Sequence, residues 1–506
     1  MKYNAKHPLL TGALFLTLAG FFSRFIGFFY KIFLSRVIGA EGMGIYQLVF
    51  PVYAFAFSLS AAGIQTGISR CCASSLAAGD SRKTKGFFLA GTGISLAISL
   101  ICTGIIVRYA EVISLHILKE QRCAPLLHLI AFSLPAGTLH TCINAWYFSS
   151  KRTLIPSATQ LLEQLVRVGA SWMIYLILIQ QGMEPTPLLA AGGVLAGEIV
   201  SGLLSSICIL LDFQKTAAGR TDLPLLSLCG RQLVKLSAPL TANRILLNLL
   251  QSAEAIMIPA RLQIAELSSS QALSVYGILT GMALPFILFP SAITSAVSTM
   301  LLPSVAGDQA AGNHQKIQEA TEKTIKYCLL LGILCAGVFF TFGPSLGTMI
   351  YHNEDAGVFL RMLSFLCPFL YLTSTLSSIL NGLGHTGLSF LQNAAGLLIR
   401  ILFAVFAIPR YGIQGYLIGL LISQIVMFLL NLYFLSKSIP IFIASIQWIF
   451  LPLAALLISC TTGKAVLGFL RQGTQFPAII CLLPGICISG LLYFLLLTAM
   501  GIVKTS

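Results

Sequence analysis

Residues Phe21–Gly39 read FFSRFIGFFYKIFLSRVIG, an aromatic and aliphatic run that carries Arg24 and Lys31 in its interior. The run belongs to a 506-residue chain that is 57% hydrophobic and only 9% charged, where a soluble domain carries about 25% charged residues. Mean hydropathy is +0.89. A helix needs about 20 apolar residues to cross a hydrocarbon core of about 30 Å. Runs of that length recur from Leu9 to the C-terminus, so the stretch is read as part of a first transmembrane helix and the chain as an all-α polytopic membrane protein.

Counting the runs outward from there predicts fourteen spans. Six lie near 9–34, 45–68, 86–107, 123–148, 154–179 and 188–211, and six more near 236–259, 272–302, 327–350, 358–380, 388–408 and 413–435. Two others follow near 439–461 and 476–500. The expected organisation is an N-terminal lobe (1–211), a cytoplasmic inter-lobe linker (212–235), a C-terminal lobe (236–435) and two additional helices (436–506). With both termini inside, cytoplasmic loops hold about 17 Lys and Arg, among them Lys2, Lys6, Arg70, Arg82, Lys83, Lys85, Arg220 and Lys504. Outer loops hold about nine, which sets the orientation. The basic start followed by an apolar run could be taken for a secretory signal, but the hydrophobicity continues to Leu34, too long for one.

The two series of six overlay. The segment LAAGDSRKTKGF after span two is matched with SVAGDQAAGNHQKIQ after span eight, which pairs Gly79 with Gly307. Span five overlays span eleven, aligning Gln160 with Asn393 and Arg167 with Arg400. Six crossings return the chain to its starting side, so the halves are parallel repeats about an axis along the membrane normal, an architecture of secondary transporters.

Charges inside the spans point to function, since each costs about 2.5 to 3.5 kcal/mol at mid-bilayer and must face a wet cavity or a partner. The cations are Arg24, Lys31, Arg167, Arg244 and Arg400, and the acids Glu163, Glu198 and Glu254. Glu163 and Arg167 are spaced i, i+4 with the acid first, which predicts a structural ion pair; Glu198, at similar depth, would complete that cluster. Arg400 has no local acid. Arg24 and Lys31, seven residues apart, form a cationic stripe of about two turns, and Arg244 supplies a third cation from the corresponding helix of the second half. Snorkelling of Lys31 and carbonyl capping by Arg24 are the structural reading. The functional reading is an anionic visitor, because Arg grips phosphate through two N–H groups and stays charged.

Other chemistries find little support. The net charge of +15 is spread over alternating loops, without the basic domain of a nucleic-acid binder. Thirteen Cys show no metal spacing, no cofactor is indicated, and no Gly-rich phosphate loop ending in Gly-Lys-Ser/Thr occurs. His128 and His140 are isolated on span four and are expected to serve packing or weak hydrogen bonds, which argues against a membrane-embedded enzyme.

The run SRFIGFFYKIFLSRVIGAEGMGIYQLVFPVYAFAFSLSAAGIQTGISR resembles the opening of the stage V sporulation protein B family, grouped with lipid II flippases in the multidrug/oligosaccharidyl-lipid/polysaccharide exporter superfamily. In related flippases the first helix resembles Ser-Arg-x-x-Gly-Phe-x-Arg-Asp. Here Ser23, Arg24, Gly27 and Phe28 match, with Tyr30 in place of the second Arg and Lys31 in place of the Asp. The resemblance implies fourteen helices, two six-helix lobes around a cationic cavity, and alternating access that flips lipid-linked cell-wall or polysaccharide precursors across the cytoplasmic membrane, in spore cortex or cell-wall synthesis. The expected partners are a lipid-linked diphosphate sugar, membrane lipids and a coupling ion. Substrate contacts fall on Arg24, Lys31 and Arg244. The alternative is a multidrug cation antiporter of the same superfamily, which would favour an intramembrane Asp that the predicted spans lack.

Overall fold

The computed structural model describes residues 8–215, 223–441, 444, 446–473 and 478–503. Lys2, Lys6, Arg220 and Lys504 lie outside them. Among the described residues every regular element is helical, as expected where lipid offers no hydrogen bonds and each segment must satisfy its own backbone. The helices are α1 (Pro8–Phe57), α2 (Gly63–Ala77), α3 (Ser81–Arg108), the short α4 (Ala110–Val112), α5 (Cys123–Ser149), α6 (Leu154–Gln180), α7 (Leu188–Lys215), α8 (Leu223–Ile264) and α9 (Ser269–Gly277). They continue with α10 (Leu284–Leu288), α11 (Ser291–Ala310), α12 (His314–Tyr351), α13 (Glu354–Leu363), α14 (Cys367–Gly382), α15 (Thr386–Phe406), α16 (Ile408–Ser438), α17 (Leu451–Gly473) and α18 (Ala478–Ala499).

Thirteen helical segments among the described residues are long and apolar enough to cross a membrane. The first, Phe15–Ala77, is broken at Gly39, whose φ of 69° and ψ of −176° no helix accepts. At about 1.5 Å per residue, each arm exceeds the core thickness of about 30 Å. The break therefore makes two crossings of one segment and brings the count to the fourteen expected. Several boundaries differ from expectation, among them the start of α12 at His314 rather than near 327. Helix α8 begins at Leu223, inside the stretch read as a linker, because an amphipathic sequence can continue a helix after hydropathy has fallen. The span expected at 272–302 is interrupted at residues 289–290, between α10 and α11. A π-helical turn occurs in the second crossing (Ser58–Ala62) and another follows α9 (Ile278–Ala283).

The chain divides into two compact units. One contains residues up to Tyr30, then Val37–Gln263 and Ser268–Leu273, and so extends past both 211, the expected end of the first lobe, and 235, the expected end of the linker. Asn248 and Ser252 of α8 donate to the carbonyls of Ala54 and Pro51 within it, at 3.3 and 3.2 Å. The other contains Lys31–Arg36, Ile264–Leu267 and Ser274–Ser506. There the Arg36 guanidinium donates to the carbonyls of Ile350 and Met349 at 2.6 and 3.1 Å, a cation placed where the end of α12 leaves carbonyls without helical partners.

Turn geometry corrects the register of the internal overlay. Gly79 (φ 73°) and Gly312 (φ 70°) each close a helix immediately before an N-cap, Asp80 and Asn313. Gly307 instead lies within α11. The matching motifs are therefore AAGDSRK (77–83) and AAGNHQK (310–316). Lys151 (φ 58°) and Gly384 (φ 91°) occupy a later pair of turns. Both separations, 312 − 79 and 384 − 151, equal 233, as does 400 − 167 for the two arginines. Arg24 and Arg244 are separated by 220, so this constant offset does not extend to them.

Candidate functional site

The first unit holds a buried polar cluster built from α5, α6 and α7. Glycines let these helices approach. A Cβ at Gly197 would lie 2.9 Å from the carbonyl oxygen of Glu163, and one at Gly193 2.7 Å from that of Arg167, so α7 packs directly on the α6 backbone that carries both residues. A Cβ at Gly137 of α5 would come within 2.9 Å of the Glu198 carboxylate, which occupies the space so left.

Within this frame Arg167 donates through Nη2 to Glu163 Oε1, one turn earlier on α6. Its Nη2 lies 3.9 Å from Glu198 Oε1 on α7. His140 of α5 points Nδ1 at Glu163 Oε2 over 3.8 Å, and its Nε2 lies 3.1 Å from Thr159 Oγ1. The side chains of His140, Glu163, Glu198 and Arg167 are 7%, 14%, 13% and 19% exposed. Ligand atoms of His140, Glu163 and Glu198 lie within 4.8 Å of one another. With a neutral imidazole the formal charge is two acids against one guanidinium, a net of one negative charge.

Helix α1 covers the cluster with tyrosines. Ser171 Oγ spends its hydrogen on the Leu189 carbonyl at 3.1 Å, so at 2.8 Å Tyr30 is the donor to Ser171. Tyr46 is close enough to Arg167, and Tyr53 to both acids, for electrostatic interaction. A cavity of about 200 Å³ opens beside the cluster, lined by His140, Asn144, Gln160, Glu163 and Glu198 among others. Asn144 Oδ1 and Arg167 Nε are buried without a hydrogen-bond partner among the described residues. The volume admits several waters, each occupying about 30 Å³ in the liquid.

The expected Glu163–Arg167 contact is thus present, with Glu198 beside it. The reading of His140 as isolated is corrected, since it meets Glu163 across the α5–α6 hairpin. The signal was in the hairpin itself: α5 ends at Ser149 and α6 starts at Leu154, so the turn centres at 151.5, and residues 140 and 163 lie 11.5 positions to either side. Antiparallel helices place such residues at equal depth. Glu254 is buried on α8, outside the cluster of His140, Glu163 and Glu198. Arg400 is half-buried on α15, in the other unit.

Arg24 and Arg244 are exposed in the first unit, whereas Lys31, half-buried, is grouped with the second. None of the three makes a hydrogen bond or ion pair with a described residue. Arg24 is flanked by Phe21, Phe22 and Phe25, all exposed. Ser23, one residue before it, is buried, which fixes the helix face and turns the guanidinium outward.

The comparisons with known proteins agree with this architecture. The chain is 28% identical to stage V sporulation protein B of Bacillus subtilis (strain 168), over 99% of this chain and 97% of that protein. It is 23% identical to the uncharacterized membrane protein YabM of the same organism, over 86% and 81%. Among solved structures, the inward closed conformation of lipid II flippase MurJ superposes with a TM-score of 0.72 at 15% identity, covering 96% of this chain and 99% of that one. An inward-facing multidrug resistance MATE family transporter superposes at 0.63 with 16% identity, over 82% and 95%. A MatE family model matches residues 244–406. The polysaccharide biosynthesis protein model matches residues 9–307, more than half of the 506, and the chain belongs to that family.

Proposed function

We propose that the protein is a flippase that moves lipid-linked, diphosphate-bearing cell-wall or polysaccharide precursors across the cytoplasmic membrane by alternating access, without covalent chemistry. The observation that carries this reading is the pair of exposed guanidiniums, Arg24 and Arg244, which have no hydrogen-bond or ion-pair partner among the described residues, in apolar helices of one compact unit. A permanently charged group is costly in such helices unless something anionic compensates it, and a diphosphate suits the two-pronged guanidinium. Two relatives support the substrate class: one is named a lipid II flippase and matches in fold, and stage V sporulation protein B matches over its whole length. The sugar head group would shed part of its hydration onto these arginines, with Lys31 as a further cation, while the lipid tail stays in the bilayer.

The same reading places both termini in the cytoplasm and treats the halves as two parallel six-helix lobes followed by two extra helices. The constant offset of 233 between turn residues supports the repeat. The MatE match favours a cation antiporter as the second reading, and its substrate would then seek the negative cluster. Arg167, bonded inside that cluster, opposes a cationic drug there.

The test is transport of a lipid-linked diphosphate sugar in proteoliposomes. Loss of one charge-assisted contact costs about 1.5 to 3 kcal/mol, or about 10- to 150-fold in affinity. Arg24→Ala and Arg244→Ala should each show that loss with normal insertion, and Arg24→Lys should recover part of it. Transport at the parent rate by both alanine variants would overturn the reading.

A further inference from the structure

The buried cluster contains a hydrogen-bonding conflict. Thr159 Oγ1 lies 3.0 Å from the Ile155 carbonyl and 3.1 Å from that of Pro156, and its single hydrogen goes to one of them. Toward His140 Nε2 it can then only accept, so Nε2 carries the imidazole hydrogen. In the neutral ring Nδ1 is left as a bare acceptor, 7% exposed with its side chain and aimed at another acceptor, Glu163 Oε2, at 3.8 Å. Two acceptors facing each other in a buried site call for a positive charge between them, and the cluster's formal charge of minus one calls for a single one.

We propose that His140, Glu163 and Glu198 form a one-proton exchange site, in which one proton binds to Nδ1 of His140 or to the facing carboxylate oxygen of Glu163 and is held between them. Taking it up neutralises the cluster, either as an imidazolium–carboxylate pair or as a carboxylic acid donating to the ring. No bond other than that to the proton is made or broken. The adjoining cavity of about 200 Å³ gives the proton a polar approach, lined by Asn144, whose Oδ1 is an acceptor without a partner among the described residues. A metal cation is disfavoured because the Arg167 guanidinium already bonds one of the carboxylates and lies 3.9 Å from the other.

The groups facing the site are Arg167 from α6, Glu198 from α7, and Tyr30, Tyr46 and Tyr53 from α1. Among the described residues, α2 and α3 bring no charged group to it. Tyrosine and arginine keep one protonation state near neutral pH, which leaves the proton to His140 and Glu163, beside the charge of Glu198. Its role as the coupling ion of the carrier rests on the flippase reading, but its existence does not.

The experiment is a pH-difference infrared titration of the purified full chain in lipid nanodiscs, in potassium and in sodium buffer. One titrating carboxyl–imidazole signal is expected, lost in Glu163→Gln and in His140→Gln and unchanged by sodium. Glu198→Gln, which removes the excess negative charge, should move its midpoint down by about one to two pH units, ten- to hundredfold in proton affinity. His140→Gln leaves the Glu163–Arg167 pair intact and serves where Glu163→Gln folds poorly. A His140→Gln spectrum identical to that of the parent would overturn the proposal. So would a midpoint that shifts with sodium, which would assign the site to a metal cation. If transport is absent while the titration persists, the flippase reading fails and this site stands; the reverse result overturns only the site.

Discussion

Arg167→Gln tests the energetics of the cluster most directly. The guanidinium is bonded to Glu163 and lies 3.9 Å from Glu198, with all three side chains less than one-fifth exposed. Its removal does more than delete a favourable contact, since it leaves two buried carboxylates facing each other without a counter-charge. Breaking one side of a buried ion pair costs about 3 to 5 kcal/mol, and two like charges within 4.8 Å of each other repel by at least about 3.5 kcal/mol at an effective dielectric constant of about 20. Proton uptake by an acid caps the second term, so the expected total is about 3 to 5 kcal/mol at neutral pH, with a smaller deficit at acid pH. Adding Glu163→Gln removes one of the stranded charges and should restore most of the loss. In a double-mutant cycle read by thermal unfolding and monodisperse yield in detergent, the coupling should exceed about 2 kcal/mol, well above the 0.3 to 0.5 kcal/mol of independent sites. A fully stable Arg167→Gln protein, or a double variant that loses the sum of the two singles, would refute the reasoning.

Three further outcomes are expected. Between α4 and α5, Arg122 bonds Glu120 and Glu41, each at 2.7 Å, and Glu120 also accepts from Ser269 at 3.1 Å; burial pushes the Glu120 carboxyl up, but the Arg122 hydrogen bonds and charge outweigh it and hold the group below the usual carboxylate range. The lock therefore contributes stability above that range and loses it as pH falls through the depressed value, so Arg122→Gln should flatten the acid limb of a stability-versus-pH curve; an unchanged limb would refute it. Gly347→Ala places a Cβ 2.1 Å from the Gly357 nitrogen, forcing α12 from α13 at a cost of about 1 to 3 kcal/mol, whereas Gly307→Ala meets nothing within 4 Å and should be neutral or slightly stabilising in thermal unfolding. With native cysteines replaced, a membrane-impermeant thiol reagent applied outside should label a cysteine at Met183 but not at Ala78 or Ala311, and the opposite pattern would invert the proposed topology.

The helix count was legible because a lipid-facing segment must be long, apolar and internally hydrogen-bonded, and each of these leaves a mark on composition. Hydropathy, however, reports the solvent of a helix rather than its extent. It therefore missed the start of α8, where LPLLSLCGRQLVK alternates too much polarity to look membranous yet forms helix from Leu223. The repeat register slipped for a related reason: Gly307–Asp308 matches Gly79–Asp80 letter for letter, but the backbone needs its left-handed residue at the turn, and that is Gly312 followed by Asn313 at the N-cap position. Chemistry at one position lost to geometry at another five residues away.

The cluster divides in the same manner. Glu163 and Arg167 were visible because both lie on one helix, where a spacing of four residues is itself a distance. His140 and Glu198 lie on other helices, and no local pattern reports which faces those helices present to α6. That choice is made by Gly137, Gly193 and Gly197, whose missing side chains set the approach of α5 and α7. In sequence they are unremarkable among 44 glycines. They matter because each stands opposite a residue that must fit: a carboxylate at Gly137, and the α6 backbone at the other two. The acids and the histidine supply the charge of the site, and the glycines determine that those charges meet. Filling Gly197 with a side chain should therefore press α7 off the Glu163 and Arg167 backbone and part Glu163 from Glu198 without replacing any charged residue.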